Sequence, residues 1–210
     1  MEADRENMIA VLRERGIKDE RVIDAMSTVR RHVYIPHELR DRADAYGDHP
    51  CPVGHGQTIS QPFIVAYMTQ RIAVSPGLKI LEIGTGSGYQ AAVLAELGVE
   101  VFSVEIIPEL ADHARTVLTA EGYASVQVKT GDGYKDWSEH APFDAIIVTC
   151  APTEIPDELV KQLKDGGRMI LPVGSSVQQL VVLEKMGGTF LEMPDLYVRF
   201  VPMVRDQESR

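Results

Sequence analysis

The stretch that decides the fold is "LEIGTGSGYQ", Leu81–Gln90. It starts as an apolar strand, breaks at Gly84, Gly86 and Gly88, and opens the helix pattern "GYQAAVLAELG", closed by Gly98. A glycine loop between a strand and a helix is where doubly wound sheets hold ligands, because glycine admits a ligand close to backbone that a Cβ would block. The dinucleotide fingerprint is spaced GxGxxG and aims helix amides at a pyrophosphate. Here the spacing is GxGxG, with Glu82 before the loop and Tyr89 after it. A carboxylate beside the loop repels a pyrophosphate and favours a cation. A nucleoside that carries positive charge therefore fits better than NAD.

Downstream of the loop, the same rhythm repeats. "EVFSVEI" reads as a second strand and "PELADHARTVLTAEG" as a helix opened by Pro108 and closed by Gly122. "SVQVKTGDG", "FDAIIVTCA" and "RMILPVG" read as three more strands, with a helix over "PDELVKQLKDGG" before the last. Strands alternating with helices mean βαβ units and a parallel sheet. The unbroken apolar run "AIIV" fits a sheet covered on both faces. After Gly174 the helices stop, and "QQLVVLEKMGGTFLEMPDLYVRFVPMV" reads as strands joined by the turn Gly187-Gly188, one of them antiparallel to the rest. Upstream, "DRENMIAVLRERG" and "KDERVIDAMSTV" have helical apolar spacing, and "PHELRDRA" is a short third helix beginning at Pro36. The expected fold is α/β: a doubly wound, mostly parallel sheet with an antiparallel C-terminal strand and an N-terminal helical extension. One domain is expected over 1–210, divided into helical extension and loop (1–76), βα core (77–174) and C-terminal strands (175–210).

Composition narrows the class. The 210 residues are 44% hydrophobic and 25% charged, which is ordinary for a globular protein. No apolar run reaches the roughly 18 residues of a membrane span. The charged N-terminus "MEADRENMIAVLRERG" lacks the apolar block of a signal peptide. A cytoplasmic protein without membrane partners is expected. The net charge is −10 and no cluster of five Lys/Arg occurs, so no nucleic-acid partner is expected. The pair Arg30-Arg31 reads as a solvated helix end. Cys51 and Cys150 stand far apart, and the six histidines never pair with Cys at ligand spacing, so reduced thiols and no metal are expected.

Two further carboxylates stand at strand tips. Glu105 ends the second strand, 17 residues past Gly88, where an acid can accept both hydroxyls of a ribose. Asp132, in "TGDG" after the third strand, can accept from the exocyclic amine of adenine. Taken singly, glycines can simply shape a turn and a strand-end acid can cap the next helix. Taken together, they describe a ligand with adenine, ribose and a cationic centre, which is S-adenosyl-L-methionine.

The segment "GHGQTISQP", Gly54–Pro62, sits between well-patterned stretches, too flexible for a strand and too polar for a core. Gly54 and Gly56 leave backbone groups free to pair with a peptide, and Gln57, Thr58 and Ser60 offer neutral hydrogen bonds to a carboxylate. Ser60 also reads as the N-cap of the helix "FIVAYMTQRI". His55 is not needed as a base, since a carboxylate is already ionised near neutral pH.

"AYGDHPCPVGHGQTISQPFIVAYM", "LEIGTGSGYQAAVLA", "FDAIIVTCAP", "LVKQLKDGGRMILPVG" and "RFVPM" follow one another in an order that resembles the protein-L-isoaspartate (D-aspartate) O-methyltransferases. The resemblance runs from about Gly16 to Met203 and is most specific in "GQTIS" with "RFVP". Arg30 departs from it, where Pro is expected in "VPRH". The resemblance implies a Rossmann-like methyltransferase fold with S-adenosyl-L-methionine as cofactor and S-adenosyl-L-homocysteine as product. It places the cofactor on Gln57, Thr58, Glu82, Gly84, Thr85, Gly86, Gly88, Glu105, Ile106, Gly131, Asp132 and Gly133. It places substrate on Val53, Gly54, His55, Gly56, Thr58, Ser60, Arg199, Phe200, Val201 and Pro202, with Ser60 catalytic. The implied activity is repair: methyl transfer to the free α-carboxylate of L-isoaspartyl, and also D-aspartyl, residues, giving an ester that closes to a succinimide. The implied partners are isoaspartyl-containing proteins and peptides, met by a monomer. Another small-molecule O-methyltransferase is the alternative. A base-amino methyltransferase is disfavoured, since Thr149-Cys150-Ala151-Pro152 offers no aromatic to stack a flipped base.

Overall fold

The computed structural model describes residues 2–40, 44–135 and 137–205. The N-terminal helices α1 (Glu2–Glu14) and α2 (Glu20–Thr28) bury the stripes their spacing predicts, with Met8 and Leu12 on the first and Val22, Ile23, Ala25 and Met26 on the second. Asp19 caps α2 by accepting from the Arg21 N–H. A third helix follows Pro36 as expected, α3 (His37–Arg40); positions 41–43 of that expected helix lie outside the described residues, as do positions 206–210 of the C-terminal region.

The segment at Gly54–Pro62 is a finding against expectation. It supplies the turn and second strand of a hairpin, β1 (Cys51–Gly54) and β2 (Gln57–Ile59), with Cys51 opposite Ile59. His55 and Gly56 form its tip with φ of 52° and 70°. Two successive positive φ values match the twist of paired strands, which is why such a polar, glycine-rich stretch can turn tightly. Cys51, Val53 and Ile59 supply the buried side. The chain then enters α4 (Pro62–Arg71).

The remaining elements are β3 (Lys79–Ile83), α5 (Tyr89–Glu96), β4 (Glu100–Glu105), α6 (Pro108–Ala120), β5 (Gln127–Thr130), β6 (Phe143–Val148), α7 (Asp157–Gln162), β7 (Leu163–Val173), β8 (Gln178–Met186) and β9 (Thr189–Val198). One seven-stranded sheet runs in the order β5-β4-β3-β6-β7-β8-β9. Strands β3 to β7 are parallel, β8 is antiparallel to β7, and β9 is antiparallel to β8. Chain order reverses between β3 and β6, and that switch point is where such sheets open a crevice. Alternation along β3 sends Ile80 to the face covered by α1, α2, α4 and α5, and Leu81 and Ile83 to the face holding Trp137 and Leu159.

The helix expected over 156–167 is shorter: α7 ends at Gln162, and β7 begins at Leu163. Lys185, reaching from β8, donates to the carbonyls of Val160 (3.0 Å) and Leu163 (2.6 Å), a cation at the helix C-terminus. The glycines of "KDGG" serve a register shift against β6: a Cβ on Gly167 would lie 2.7 Å from the Asp144 carbonyl oxygen. Arg31 corrects a second expectation. Arg30 is exposed and paired with Glu121, but Arg31 has no exposed surface. No helix among the described residues is long and apolar enough to cross a membrane.

Candidate active site

At the switch point the carboxyl ends of β3, β4 and β6 surround a cavity of about 220 Å³. Its floor is the glycine loop (Gly84–Ser87), one side is Glu105, Ile106 and Ile107, and Gly133, Thr149 and Cys150 complete the sheet edge. The hairpin residues Gly56–Ser60 and the segment Val201–Val204 close it from opposite sides. That last segment is held by Ala151, whose N–H donates to the Val201 carbonyl and whose carbonyl accepts from Met203 N–H, both at 2.8 Å.

Glu105 is 5% exposed. Its Oε2 accepts from Gly86 N–H at 2.7 Å and its Oε1 from Ile107 N–H at 3.0 Å. These bonds fix the carboxylate at the tip of β4 and leave lone pairs for a diol. Gly84 has φ of 95°, and a Cβ there would fall 2.5 Å from Thr149 Oγ1, so the close crossing of loop and β6 tip demands glycine. Gly88 has a different task. It does not line the cavity; a Cβ there would press on Ala114 and Leu118 of α6.

Three further expected cofactor residues stand off the cavity wall. Glu82 is fully buried beneath the loop, accepting from the Ser103 hydroxyl through Oε2, while Oε1 has no partner among the described residues. Burial pushes its pKa up to about 8, against the Ser103 hydrogen bond and with the help of the Glu105 charge. It is therefore not the carboxylate beside the ligand that its place next to the loop suggests. Its strand position explains this, since it shares the buried face of β3 with Ile80. Gly131 and Asp132 are also absent from the wall; Asp132 turns its Oδ1 to Tyr134 N–H at 2.9 Å, and Gly133 is the residue of that loop that faces the cavity.

A second cavity, about 900 Å³, adjoins the first and shares Thr58, Ser60, Thr149 and Val201 with it. Arg199 and Phe200 line it, facing Arg15, Phe63 and Ile64. Asp195 braces the two walls: it accepts from Tyr67 Oη at 2.6 Å and Arg71 Nε at 2.8 Å, tying β9 to α4. Val53, Gly54 and His55 line neither cavity. Val53 is packed in the core and His55 sits exposed at the hairpin tip.

Ser60 stands where the cavities meet, and its hydroxyl has no partner among the described residues. It does not cap α4. The N-cap position is Gln61, which makes no side-chain cap bond, and the capping is done from an earlier loop by Asp48, whose Oδ1 accepts from Phe63 N–H at 2.9 Å. Several wall residues escaped the sequence reading: Val65, Tyr89, Gln90, Ile107, Thr149, Cys150 and Met203. Thr149 and Cys150 follow the apolar run of β6, so the strand-tip rule applied to the first three strands would have found them in the fourth. Desolvation, with Glu105 and Glu82 nearby, pushes the Cys150 pKa up to about 12, which disfavours the thiolate.

A glycine loop at the switch point of a mostly parallel sheet, with a carboxylate at the tip of the next strand, is the Rossmann-like arrangement for holding an adenosyl group, which the S-adenosylmethionine-dependent methyltransferases share with the dinucleotide-binding folds. The profile of the protein-L-isoaspartate(D-aspartate) O-methyltransferase family matches residues 3–208, and the chain belongs to that family. It is 52% identical over 198 residues to a protein-L-isoaspartate O-methyltransferase of Gloeobacter violaceus, spanning 93% of this chain and 96% of that one. It is similar to a crystal structure from Plasmodium falciparum, described as a putative protein-L-isoaspartate O-methyltransferase in complex with S-adenosyl-L-homocysteine (TM-score 0.85, 25% identity, 96% of this chain and 99% of that one). A further solved protein-L-isoaspartate O-methyltransferase is matched at TM-score 0.85 and 28% identity, over 94% of this chain and 65% of that one.

Proposed function

We propose that the protein transfers the methyl group of S-adenosyl-L-methionine to the free α-carboxylate of L-isoaspartyl, and also D-aspartyl, residues in damaged proteins and peptides. The observation that carries this reading is the meeting of two cavities at Thr58, Ser60, Thr149 and Val201. One has the glycine floor and the Glu105 carboxylate that suit an adenosyl group. The other is a wider groove between α4 and the end of β9 that suits a peptide.

S-adenosyl-L-methionine supplies an activated methyl and leaves as S-adenosyl-L-homocysteine. The chain's own residues have a lighter task. Glu105 holds the ribose, and the Gly84–Ser87 backbone admits the cofactor closely. The Ser60 hydroxyl, with Thr58 beside it, donates to the substrate carboxylate without neutralising it, as a directly paired guanidinium would. No proton needs to move, because that carboxylate is already ionised. The work is alignment, for which ideal positioning can supply roughly 7–11 kcal/mol. The ester then closes to a succinimide without the enzyme, as the neighbouring amide nitrogen displaces methanol, and hydrolysis of the ring by water returns some normal aspartate.

In this reading the chain acts as one methyltransferase domain and a cytoplasmic monomer. The helical extension and hairpin (1–76) and the C-terminal strands (175–210) flank the cofactor core (77–174). The test is methyl transfer to two peptides of identical composition, one with an L-isoaspartyl and one with an L-aspartyl linkage. Both carry the same charge, so only geometry separates them. A displacement of about 1 Å can cost roughly a hundredfold in rate, so strong preference for the isoaspartyl peptide is expected. Comparable rates on both would leave a general carboxyl methyltransferase in place of a repair enzyme.

A further inference from the structure

Arg31 is a large side chain with no exposed surface. A buried guanidinium is ordinarily paired with a carboxylate, since an uncompensated buried charge is costly. Here no carboxylate bonds it among the described residues. Nη1 donates to the Ala45 carbonyl at 3.1 Å, and Nη2 donates to those of His49 (3.2 Å) and Ser60 (2.9 Å). Nε has no partner among the described residues. The nearby Asp48 is engaged elsewhere, by Arg15, by the Gln61 side chain and by the Phe63 N–H that it caps. Burial lowers the Arg31 pKa, so the surroundings resist the charge that they nonetheless contain.

What the cation does hold is informative. Its three carbonyls belong to the loop and hairpin over residues 45–60, and the third is that of Ser60. Its Cζ also lies 5.5 Å from the centroid of the Tyr89 ring, within cation–π range. Tyr89 opens α5 directly after the glycine loop and lines the cofactor cavity. One planar group therefore ties the Ser60 backbone to the element that carries the cofactor floor. An apolar side chain would fill the same volume without desolvating a charge. A lysine would keep the charge but could not fork to separated acceptors.

We propose that Arg31 is a positioning residue for methyl transfer, fixing the Ser60 backbone against Tyr89 so that the Ser60 hydroxyl faces the junction of the two cavities. The inference rests on the transfer reading given above. It predicts that Arg31 sets turnover more than binding of either ligand. A residue that merely stabilised the fold would lower the melting temperature and leave kcat of the folded fraction intact.

The experiment compares wild type, Arg31→Lys and Arg31→Met. Each is assayed on the isoaspartyl peptide, titrated with S-adenosyl-L-homocysteine, and followed by amide hydrogen exchange over residues 57–63. Expected are kcat values lower by about a hundredfold, KM and product affinity within about threefold, and faster exchange at Ser60 and its neighbours. If Arg31→Met does not fold, Arg31→Lys carries the same comparison. Wild-type kcat in a folded variant, or unchanged exchange over 57–63, would overturn the proposal. Failure of the wild type itself to methylate the isoaspartyl peptide would instead sink the transfer reading, and the exchange measurement would still decide whether Arg31 holds Ser60.

Discussion

Replacing Glu82 with glutamine probes the carboxyl group sealed under the glycine loop. In the folded protein it has a pKa of about 8, against 4.5 for the free side chain, chiefly because burial penalises the charge. The folded state therefore keeps a proton that the unfolded chain releases above pH 4.5. The stability tied to that proton is fully present below about pH 4.5, falls as pH rises, and is gone above about pH 8. At about 1.36 kcal/mol per pKa unit the whole span amounts to roughly 5 kcal/mol, and the part between about pH 6 and 8 to roughly 2–3. The glutamine of the Glu82→Gln variant cannot titrate. Its amide would stand unpaired where Oε1 now does, a pH-independent offset of about 1–3 kcal/mol. The slope of the difference, not its absolute value, is thus the readout. Urea unfolding of both proteins from about pH 5 to 9 measures it, and titration of His32 and His113, common to both, cancels. Wild type should lose stability relative to the variant up to about pH 8 and hold level beyond. Parallel profiles across the range would refute the reasoning and show a carboxylate already charged at neutral pH.

Removing the strand-tip acid with Glu105→Ala should weaken S-adenosyl-L-homocysteine binding by about 1–3 kcal/mol, through unpaired ribose hydroxyls and a loosened Gly86; calorimetry showing unchanged affinity would take Glu105 out of the site. Ser60→Ala should lower turnover while melting temperature and product affinity stay near wild type, because Ser60 caps nothing; full turnover would end its catalytic assignment. Asp48→Ala removes the real cap of α4 and should cost about 1 kcal/mol or more in thermal unfolding. Asp195→Asn releases Arg71 and loosens the groove wall, so KM for the peptide should rise about three- to tenfold with kcat steady, and an unchanged KM would show that the brace does not set the groove.

The sheet was legible because glycine punctuation and apolar runs are local signals. "LEIGTGSGYQ" alone placed β3, the loop and α5, and Gly187-Gly188 marked the β8–β9 turn correctly. What escaped were features decided by partners far along the chain. Nothing beside Arg31 separates it from the exposed Arg30; only the closing of residues 45–60 over it buries one and not the other. Ser60 looked like a cap because its neighbours suit one, but Asp48, on an earlier loop, had already taken that role. The end of α7 depends on Lys185 arriving from β8. Glu82 was misplaced for a different reason. The period-two alternation of β3 sets it beside Ile80 on a buried face, whereas its position next to the glycines in sequence suggests a carboxylate at the ligand.

The cofactor chamber is walled by residues 56–60 on one side and 201–204 on the other, and the second wall hangs on Ala151. These segments enter the fold at very different moments of synthesis. When the glycine loop and Glu105 have left the ribosome, the far wall, which lies roughly a hundred residues further along the chain, has not yet been made. The chamber therefore needs residues from both ends of the sequence, and a chain still short of Val201 lacks one of its walls. An enzyme that acts on damaged polypeptides thus has an incomplete cofactor chamber for as long as it is itself an unfinished one.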